Sequence, residues 1–437
     1  MRNLDLAAAI ELAERRFAEA HPASRTHIER AGGFLPGGNT RTVIHVRPFP
    51  VVVERSDGAS LHDVDGHRYR DFLGEYTAGL FGHSDPVIKQ AVRDALDKGW
   101  VHGAHIREES ALAEALTARF PSLDLVRFCN SGTEANLMAI VTARVFTGRE
   151  KVMVFEGGYH GGVLKYGDGP APTNAPFPIV MGAYNDAEGA AALIAEHGDD
   201  LAAVLVEPMQ GAAGCIPGDP DFLEALREAC TARGVLLIFD EVMTSRLGGG
   251  GLQAALGVTP DLTTLGKYIG GGLPLGAFGG RADVMRLYDP SDPKALGHAG
   301  TFNNNQLSMA AGAAAMTQVY TPETAERLSG EGEAFRARLN ERAAAADVPV
   351  QVTGRGSMMS VHFTRAPIRS VADARGAPDG AAHLFHHEML ARGLYCADRG
   401  MINLSLPMTS EDLDAFAAAF GDFLEEHAPL LRSAAKR

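Results

Sequence analysis

Cysteine is scarce in this chain, and its cysteines lie far apart. The 437 residues include four, Cys129, Cys215, Cys230 and Cys396, and no Cys-x-x-Cys pair occurs among them. This spacing indicates neither a disulfide framework nor a zinc ribbon. We therefore expect a protein of a reducing compartment.

Excess basic charge and long apolar segments are also missing. The formal net charge is -14 at pH 7, and no basic stripe offers the contacts with which proteins displace counterions from nucleic acids. The opening MRNLDLAAAIELAERRF lacks the apolar core of a signal peptide and carries acidic residues that transit peptides avoid. No window approaches about 18 uninterrupted apolar residues. We expect a cytoplasmic protein with no nucleic-acid and no membrane partner.

Apolar residues are plentiful and periodic. They make up 46% of the sequence, which at this length is enough to bury a large core. Helical spacing predicts an amphipathic helix over residues 4–20. Over 51–73, β-rich runs broken by two Asp-Gly turn signals predict a small antiparallel sheet.

Between residues 84 and 320 the pattern changes. Short apolar runs are each followed by a glycine turn and a helical pattern, which is typical of a parallel sheet with crossover helices. The clearest strand candidates are 126–129, 151–155, 201–207 and 235–241. From 321 to 437 the sequence is more charged and helical, and it ends on a helix with Leu413, Phe416, Phe420 and Leu424 on one face.

The segment VRFCNSGTEANLMAIVTARVFTG predicts a strand, a glycine turn and a helix. Ser131 and Glu134 match a capping box that would start this helix. An ordinary helix cap explains that pattern as well as a ligand site does. The functional interpretation is that the backbone N–H groups of Gly132 and Thr133 bind a phosphate at the helix N-terminus.

A second motif is VLLIFDEVMTS, in which an apolar strand ends in Asp240 and Glu241. Ligands collect at the carboxyl ends of parallel strands. A carboxylate beside a pyridine nitrogen favours its protonated form, and the pyridinium then withdraws electrons from a substrate carbanion. A metal-binding or capping role for Asp240 is the alternative.

The third motif is LTTLGKYIGGGLPLGAFGG, where Lys267 is the only charged residue from Leu262 through Gly280. Its neighbours are apolar residues and glycines, so we expect a desolvated amine with a lowered pKa. A lysine that forms a Schiff base requires such an amine. A structural lysine is the alternative.

In this order, the three motifs resemble those of the class III aminotransferases, which are pyridoxal 5′-phosphate (PLP) enzymes of fold type I. The resemblance covers almost the whole chain. It implies an α/β fold: a large domain with a mostly parallel seven-stranded sheet flanked by helices, and a smaller α+β domain built from both chain termini. The expected segments are 1–75 for the N-terminal part of the small domain, 76–320 for the PLP-binding domain and 321–437 for the C-terminal part.

The resemblance also implies PLP-binding roles for the residues that match family motifs. They are Ser131, Gly132 and Thr133 at the phosphate, Tyr159 stacked on the ring, Glu207 near its oxygen, Asp240 at its nitrogen, Val242 behind it, and Lys267 as the Schiff-base and proton-shuttling residue. Thr301 is expected to reach the phosphate of the neighbouring subunit's cofactor, which implies an obligate homodimer.

Two subfamilies compete within the class: glutamate-1-semialdehyde 2,1-aminomutases and aminotransferases of β-amino acids, notably aromatic ones. Three departures from the aminomutase pattern favour the second subfamily. Ser-Arg follows the Asp-Glu-Val-Met-Thr run at 245–246, three asparagines stand at 303–305, and Arg41 replaces a proline. We therefore expect transfer of an amino group from a β-amino acid to 2-oxoglutarate or pyruvate by a ping-pong mechanism.

Four residues are expected to contact the substrates. The resemblance makes Arg41 the carboxylate clamp, a task that suits the planar fork of a guanidinium. Arg399 is a second candidate, for the distal carboxylate of 2-oxoglutarate. Tyr76 and Met401 are expected at the side-chain pockets. A surface salt bridge is the alternative for either arginine.

Other readings of the chain predict different experimental results. An aminomutase would need no external acceptor, and another class III ω-transaminase would use other donors. A non-enzymatic protein that binds a phosphate ligand would have no use for Lys267. Zinc is suggested only by the i, i+4 pair His383 and His387, for which the sequence shows no third ligand, so no metal is expected.

Overall fold

The structure is a computed structural model that describes residues 5–167, 169–376, 378 and 380–434. Its strands are β1 (Val53–Asp57), β2 (Ser60–Asp63), β3 (Arg68–Asp71), β4 (Leu125–Cys129), β5 (Lys151–Phe155), β6 (Gly158–Tyr159), β7 (Lys165–Tyr166), β8 (Ile179–Gly182), β9 (Leu201–Val206), β10 (Met209–Gln210), β11 (Ile216–Pro217), β12 (Leu236–Asp240), β13 (Leu262–Gly266), β14 (Gly276–Gly280), β15 (Gln351–Arg355), β16 (Met358–His362), β17 (Leu394–Tyr395) and β18 (Met401–Asn403).

Helices separate most of these strands. They are α1 (Leu6–Ala20), α2 (Pro22–Ala31), α3 (Pro86–Lys98), α4 (Arg107–Arg119), α5 (Gly132–Thr147), α6 (Ala187–His197), α7 (Pro220–Arg233), α8 (Gly251–Leu256), α9 (Ala282–Met285), α10 (Gln306–Ala314), α11 (Pro322–Ala345), α12 (Val371–Arg375), α13 (Ala381–Ala391) and α14 (Ser410–Ala434). Short 3₁₀ turns include Pro36–Gly38, Thr42–Ile44, Gly74–Thr77 and Lys267–Gly270. None of the helices in the described ranges is both long enough and apolar enough to cross a membrane.

The central sheet has seven strands in the order β4-β14-β13-β12-β9-β5-β8. Only β14 runs antiparallel to its neighbours, and the remaining pairs are parallel. This confirms the predicted mostly parallel, seven-stranded sheet. The apolar runs predicted as strands are β4, β5, β9 and β12, and both faces of β9 and β12 are buried, which explains their continuous hydrophobicity.

Helices cover both faces of this sheet. Alternate residues of a strand point to opposite faces, so Val204 of β9 packs in one apolar cluster with residues of α6 and α7, while Leu205 packs in another with residues of α5. Because the parallel strands are in register, the residues that follow β4, β5, β9, β12 and β13 all leave the sheet at one edge. That edge carries the site described below.

Of the two larger sheets outside the central one, the first combines residues from both ends of the chain and the second comes from its C-terminal part alone. The predicted antiparallel hairpins are β1, β2 and β3, and β17 adds to β3 as a parallel neighbour. β15, β16 and β18 form a separate antiparallel sheet. The pairing of β3 with β17 agrees with a small domain formed from both termini, although the segment boundaries 1–75, 76–320 and 321–437 stay a prediction.

The end of the chain also agrees with its predicted pattern. In α14, Phe416, Phe420 and Leu424 are fully buried, and Leu413 packs at the edge of the same core. The first helix is predicted over residues 4–20, and α1 ends at Ala20 as expected. A second helix, α2, begins at Pro22 itself, because proline at the first helical position needs no hydrogen-bond partner for its nitrogen.

Candidate active site

A cavity of about 150 Å³ lies at the carboxyl edge of the central sheet. Residues that follow several strands and the first turns of α5 line it: Gly132, Thr133, Asn136, Tyr159, His160, Gly161, Glu207, Asp240, Val242, Met243 and Lys267. Seven of the nine residues expected at the cofactor are therefore brought together here. The other two, Ser131 and Thr301, do not line this cavity.

The N-terminus of α5 forms one end of the cavity. Ser131 caps the helix, because its Oγ accepts a hydrogen bond from the backbone N–H of Glu134 at 3.2 Å. The reciprocal bond of the predicted capping box is displaced by one residue: the Glu134 carboxylate accepts from the N–H of Asn130 at 2.8 Å. The N–H groups of Gly132 and Thr133 have no acceptor within the helix and are free for an anion.

Two glycines make room around this helix terminus. A Cβ on Gly132 would lie 2.7 Å from a methyl carbon of Val242. Gly161 has a φ of +121°, and a Cβ there would lie 2.2 Å from Oγ1 of Thr133. Side chains at these positions would close the cradle, so the close approach of backbone and ligand depends on glycine.

Asp240 is buried and held by several donors. Its Oδ2 lies 2.8 Å from Nδ1 of His160 and accepts from the Asn136 amide at 2.9 Å. Its Oδ1 accepts from the N–H of Val242 at 3.0 Å. Thr264 fixes Asn136 in turn by donating to its amide oxygen at 2.7 Å. These bonds hold the carboxylate in one orientation.

The neighbouring Glu241 has a different role. It is fully buried on the other side of the strand end, where its oxygens accept from the N–H groups of Leu252 at 2.7 Å and Gln253 at 3.0 Å. Glu241 therefore supplies hydrogen-bond acceptors for the backbone N–H groups in the first turn of α8. Of the two consecutive carboxylates, only Asp240 lines the cavity.

Glu207 follows β9 and forms another wall. Its carboxylate accepts from the N–H of Tyr159 at 2.9 Å and from that of Gly211 at 3.0 Å. Burial nevertheless raises the pKa of Glu207 above its ordinary value. The two backbone donors keep its oxygens oriented toward the segment that carries Tyr159.

Lys267 follows β13 directly and has a φ of +55°, a strained value for a lysine. Burial lowers the pKa of its amine, and this effect outweighs the opposing attraction of Asp240 and Glu207. Arg399 and Arg41 lower the Lys267 pKa further by charge repulsion. The direction agrees with the desolvated amine that the sequence predicts, and a lowered pKa favours the neutral, nucleophilic form.

The substrate-facing side is built on a left-handed turn. Gly74, Glu75, Tyr76 and Thr77 all have positive φ, which is rare for consecutive residues with side chains. Glu75 forms an ion pair with Arg41, and Tyr76 donates from its hydroxyl to the carbonyl of Val43 at 2.9 Å. The Arg399 guanidinium lies over the Tyr76 ring, 5.1 Å from its centroid.

The remaining expected residues have clear positions. Met401 is fully buried in an apolar cluster against which Tyr76 packs, and it does not line the cavity. Thr301 is exposed, next to the exposed ring of Phe302.

The histidine pair weighed as a zinc site makes other contacts. His383 lies between two carboxylates, and Nε2 of His387 faces the carbonyl of Arg47 at 2.8 Å.

Three residues of the site were missed from the sequence. His160 and Asn136 hold Asp240, and Glu75 pairs with Arg41. A signal was present for Asn136, since an amide among the small apolar residues of a buried helix face needs a partner. No sequence signal indicated Glu75, because its partner Arg41 lies 34 residues earlier in the chain.

The arrangement fits a phosphorylated pyridine aldehyde. It combines a helix terminus suited to an anion, a buried carboxylate held by several hydrogen bonds, and a lysine amine of lowered pKa, all around one cavity. Glycines at the points of closest approach leave the space that such a group requires.

Comparisons with known proteins agree with this chemistry. The family model described as aminotransferase class-III matches residues 43–166 and 170–424. The chain is 52% identical over 419 residues to a beta-phenylalanine transaminase of Variovorax paradoxus, covering 96% of each protein. It is 41% identical over 396 residues to a glutamate-1-semialdehyde 2,1-aminomutase of Sorangium cellulosum (strain So ce56), covering 86% of this chain and 90% of the relative.

A solved structure supports the same family assignment. A transaminase with PLP bound superposes with a TM-score of 0.85 at 34% identity, covering 94% of this chain and 99% of the other. The chain therefore belongs to the class III aminotransferases and is a PLP-dependent transaminase of fold type I.

Proposed function

We propose that this transaminase moves the amino group of a β-amino acid, an aromatic one such as β-phenylalanine, to 2-oxoglutarate or pyruvate in a ping-pong reaction. The observation that carries the proposal is the convergence of two guanidinium groups. Arg41 and Arg399 come from distant segments, yet both meet the turn that carries Glu75 and Tyr76: Arg41 pairs with Glu75, and the Arg399 guanidinium lies 5.1 Å from the centroid of the Tyr76 ring. Each can bind one carboxylate through two hydrogen bonds, and the positive charge of each lowers the pKa of Lys267.

The choice of a β-amino acid follows from distance. Such a donor carries its reacting carbon one bond farther from the carboxylate than an α-amino acid does. The clamp must therefore stand in a different place, and Arg41, on the segment that precedes β1, is independent of the strand ends that carry the cofactor residues. The 52% identity to a beta-phenylalanine transaminase supports this choice.

Bound at this site, PLP supplies an electron-withdrawing ring that stabilises the negative charge left on the substrate carbon when a proton leaves it. We assign the movement of that proton to Nζ of Lys267, because burial lowers its pKa and favours the neutral amine. Asp240, held by His160 and Asn136, would keep the ring nitrogen of bound PLP protonated.

The remaining residues bind and orient the cofactor. Their proposed roles are phosphate binding by Gly132 and Thr133 with Ser131 capping the helix, stacking by Tyr159, contact near the ring oxygen by Glu207, and packing on the opposite face by Val242. Substrate side chains would lie against Tyr76, above Met401.

We also propose that the enzyme is a homodimer with active sites at its interface. Thr301 is exposed and does not line the cavity of its own chain, so it is free to reach the phosphate bound by a second copy. Large apolar side chains are exposed as well: Phe302 is 59% exposed, Phe34 83% and Val101 74%. A second subunit would cover such surface.

Subunit mixing tests this arrangement. Lys267→Ala subunits keep Thr301 but cannot move the proton, and Thr301→Val subunits keep Lys267 but bind phosphate weakly. A mixed dimer contains one site with a complete set of groups. We therefore expect activity to reappear when the two variant proteins are mixed and exchange subunits. If mixing restores nothing although hybrid dimers are detected by mass spectrometry, Thr301 does not act across the interface.

The half-reaction tests the function itself. Addition of 3-amino-3-phenylpropanoate to the PLP-loaded enzyme, without acceptor, should bleach the absorbance of the lysine-bound cofactor. 2-Oxoglutarate or pyruvate should restore it. The 41% identity to an aminomutase makes glutamate-1-semialdehyde the informative alternative substrate. A spectrum that responds to it and ignores the β-amino acid would move the assignment to an isomerase.

A further inference from the structure

Arg399 occupies the tip of a tight turn that also carries Asp398. The N–H of Gly400 donates to the carbonyl of Ala397 at 2.9 Å, so Asp398 and Arg399 are the two central residues of this turn. Gly400 has a φ of +88°, and a Cβ there would lie 2.6 Å from the carbonyl oxygen of Val361. The turn is packed tightly against β16, and Asp398 and Arg399 are neighbours within it.

His383 of α13 supplies that anchor. Its Nδ1 lies 2.6 Å from Oδ1 of Asp398, and its Nε2 lies 3.0 Å from Oε1 of Glu14 in α1. An ionised carboxylate can only accept hydrogen bonds, so both ring nitrogens donate and the ring carries a positive charge. His383 is only 8% exposed, whereas the side chains of its partners Asp398 and Glu14 are 39% and 22% exposed, so both contacts are partly buried.

The groups around His383 support this protonation state. Burial acts to lower the pKa of His383, but the bonds to Asp398 and Glu14 outweigh it and raise the pKa above its ordinary value. Burial lowers the pKa of His386 and that of His387 on the same helix, so these two rings stay neutral. The other charged or titratable groups nearby are Arg47, 3.7 Å from the Glu14 carboxylate, and His362, Arg375 and Arg399, which share a cavity with His383.

The geometry points to His383 as a positioning residue for acceptor recognition. We propose that the imidazolium fixes Asp398, and through the shared turn fixes Arg399, so that the guanidinium is ready for the distal carboxylate of 2-oxoglutarate. Glu14, from helix α1, holds the other ring nitrogen of His383. This inference rests on the proposed function, in which Arg399 binds that carboxylate.

The choice of acceptor distinguishes this positioning role from general structural support. Pyruvate has no distal carboxylate, so loss of the anchor should affect 2-oxoglutarate and leave pyruvate unchanged. When pH rises through the pKa of His383, the ring loses its charge and one of the two carboxylates loses its donor. Recognition of dicarboxylates should therefore weaken toward alkaline pH, while that of monocarboxylates should not.

The test compares wild-type holoenzyme with His383→Gln, Asp398→Asn and Arg399→Gln. Calorimetry measures the binding of glutarate and of pentanoate, which has the same number of carbons but one carboxylate fewer. We expect the preference for glutarate to fall about tenfold in His383→Gln and Asp398→Asn, the size of one charge-assisted hydrogen bond, and at least as much in Arg399→Gln. The KM for 2-oxoglutarate should rise in parallel, with the KM for pyruvate unchanged.

Two further variants complete the design. His386→Gln alters the same helix at a ring whose Nδ1 faces a backbone carbonyl, so it should leave the glutarate preference intact. Glu14→Gln should keep the Asp398 contact but lower the pKa of His383, which shifts the loss of glutarate binding to lower pH.

The possible results are distinct. An unchanged glutarate preference in His383→Gln, with a clear loss in Arg399→Gln, would overturn the positioning role alone. No loss in Arg399→Gln would refute the acceptor role of that arginine and this inference with it. Equal increases of KM for 2-oxoglutarate and pyruvate in His383→Gln would reduce His383 to structural support.

Discussion

The two sides of the active site are built differently. On the cofactor side, Asp240 ends one strand of the central sheet and Glu207 directly follows another, and they are 4% and 5% exposed. On the side proposed for the substrate, the Arg41 and Glu75 side chains are 45% and 55% exposed and lie on loops. In the proposed function, the sheet fixes the chemistry, and contacts between distant loops fix the choice of substrate. Changes on the first side should therefore alter catalysis, and changes on the second should alter binding.

The largest effect is expected for Lys267→Ala. Loss of the proton-moving amine should lower kcat by about 10²–10⁴-fold, the usual contribution of a general acid–base, with little change in the melting temperature. Steady-state transamination measures this effect. Lys151→Ala, which removes an exposed ion pair with Asp200, is the matched control and should keep full activity. Substantial turnover by Lys267→Ala would contradict the assigned role.

The next effect is that of Asp240→Asn, which keeps the shape of the side chain and removes its charge. We expect kcat to fall about 10²-fold, since electrostatic stabilisation at the reacting centre is lost. The KM values should change little. His160→Gln leaves the Asp240 carboxylate in place and should lower kcat by a smaller factor. If Asp240→Asn raised KM and spared kcat, the distinction between the two sides would fail.

Arg41→Ala should act on binding. Removal of one bidentate partner should raise the KM for the β-amino acid about tenfold to a hundredfold, the value of a charged hydrogen-bond pair, with a much smaller change in kcat. Arg41→Lys should recover only part of the loss, because a lysine cannot form the planar fork. A purely kcat effect would show that Arg41 serves the chemistry instead.

The smallest effect should come from Glu75→Gln, and its sign is informative. In the proposed function Arg41 binds the substrate carboxylate, so Glu75, which pairs with Arg41 in this structure, would compete with that carboxylate. Removal of its charge should lower the KM for the β-amino acid about two- to fivefold, in keeping with the modest strength of exposed ion pairs. An increase in KM would mean that Glu75 mainly orients Arg41 for binding.

The same comparison explains what could be predicted from the sequence. The strands ending at Val206 and Asp240, the cap at Ser131 and the desolvated Lys267 depend on local pattern, and the structure places all of them as expected. The capping partner of Glu134 differed by one residue, since backbone detail decides which N–H a carboxylate reaches.

Contacts across long distances in the chain were not predictable. The Arg41–Glu75 pair, the placement of Arg399 over Tyr76, and the Glu14–His383 contact each join segments that only the tertiary fold brings together. The left-handed conformation of Glu75 and Tyr76 runs against local preference, so no propensity indicates it. Such positions become visible only when their surroundings are known.

The pairing of β3 with β17 has a consequence for biosynthesis. Leu394 pairs with Arg70, and the Asn403 side chain donates to the carbonyl of Leu73 at 2.8 Å, directly before the turn that carries Tyr76. The N-terminal hairpins leave the ribosome long before Leu394 and Asn403 have been synthesised. The turn that carries Tyr76 can thus be completed only when the last tenth of the polypeptide emerges, so nascent and truncated chains lack the contacts that support it even after the central sheet has formed.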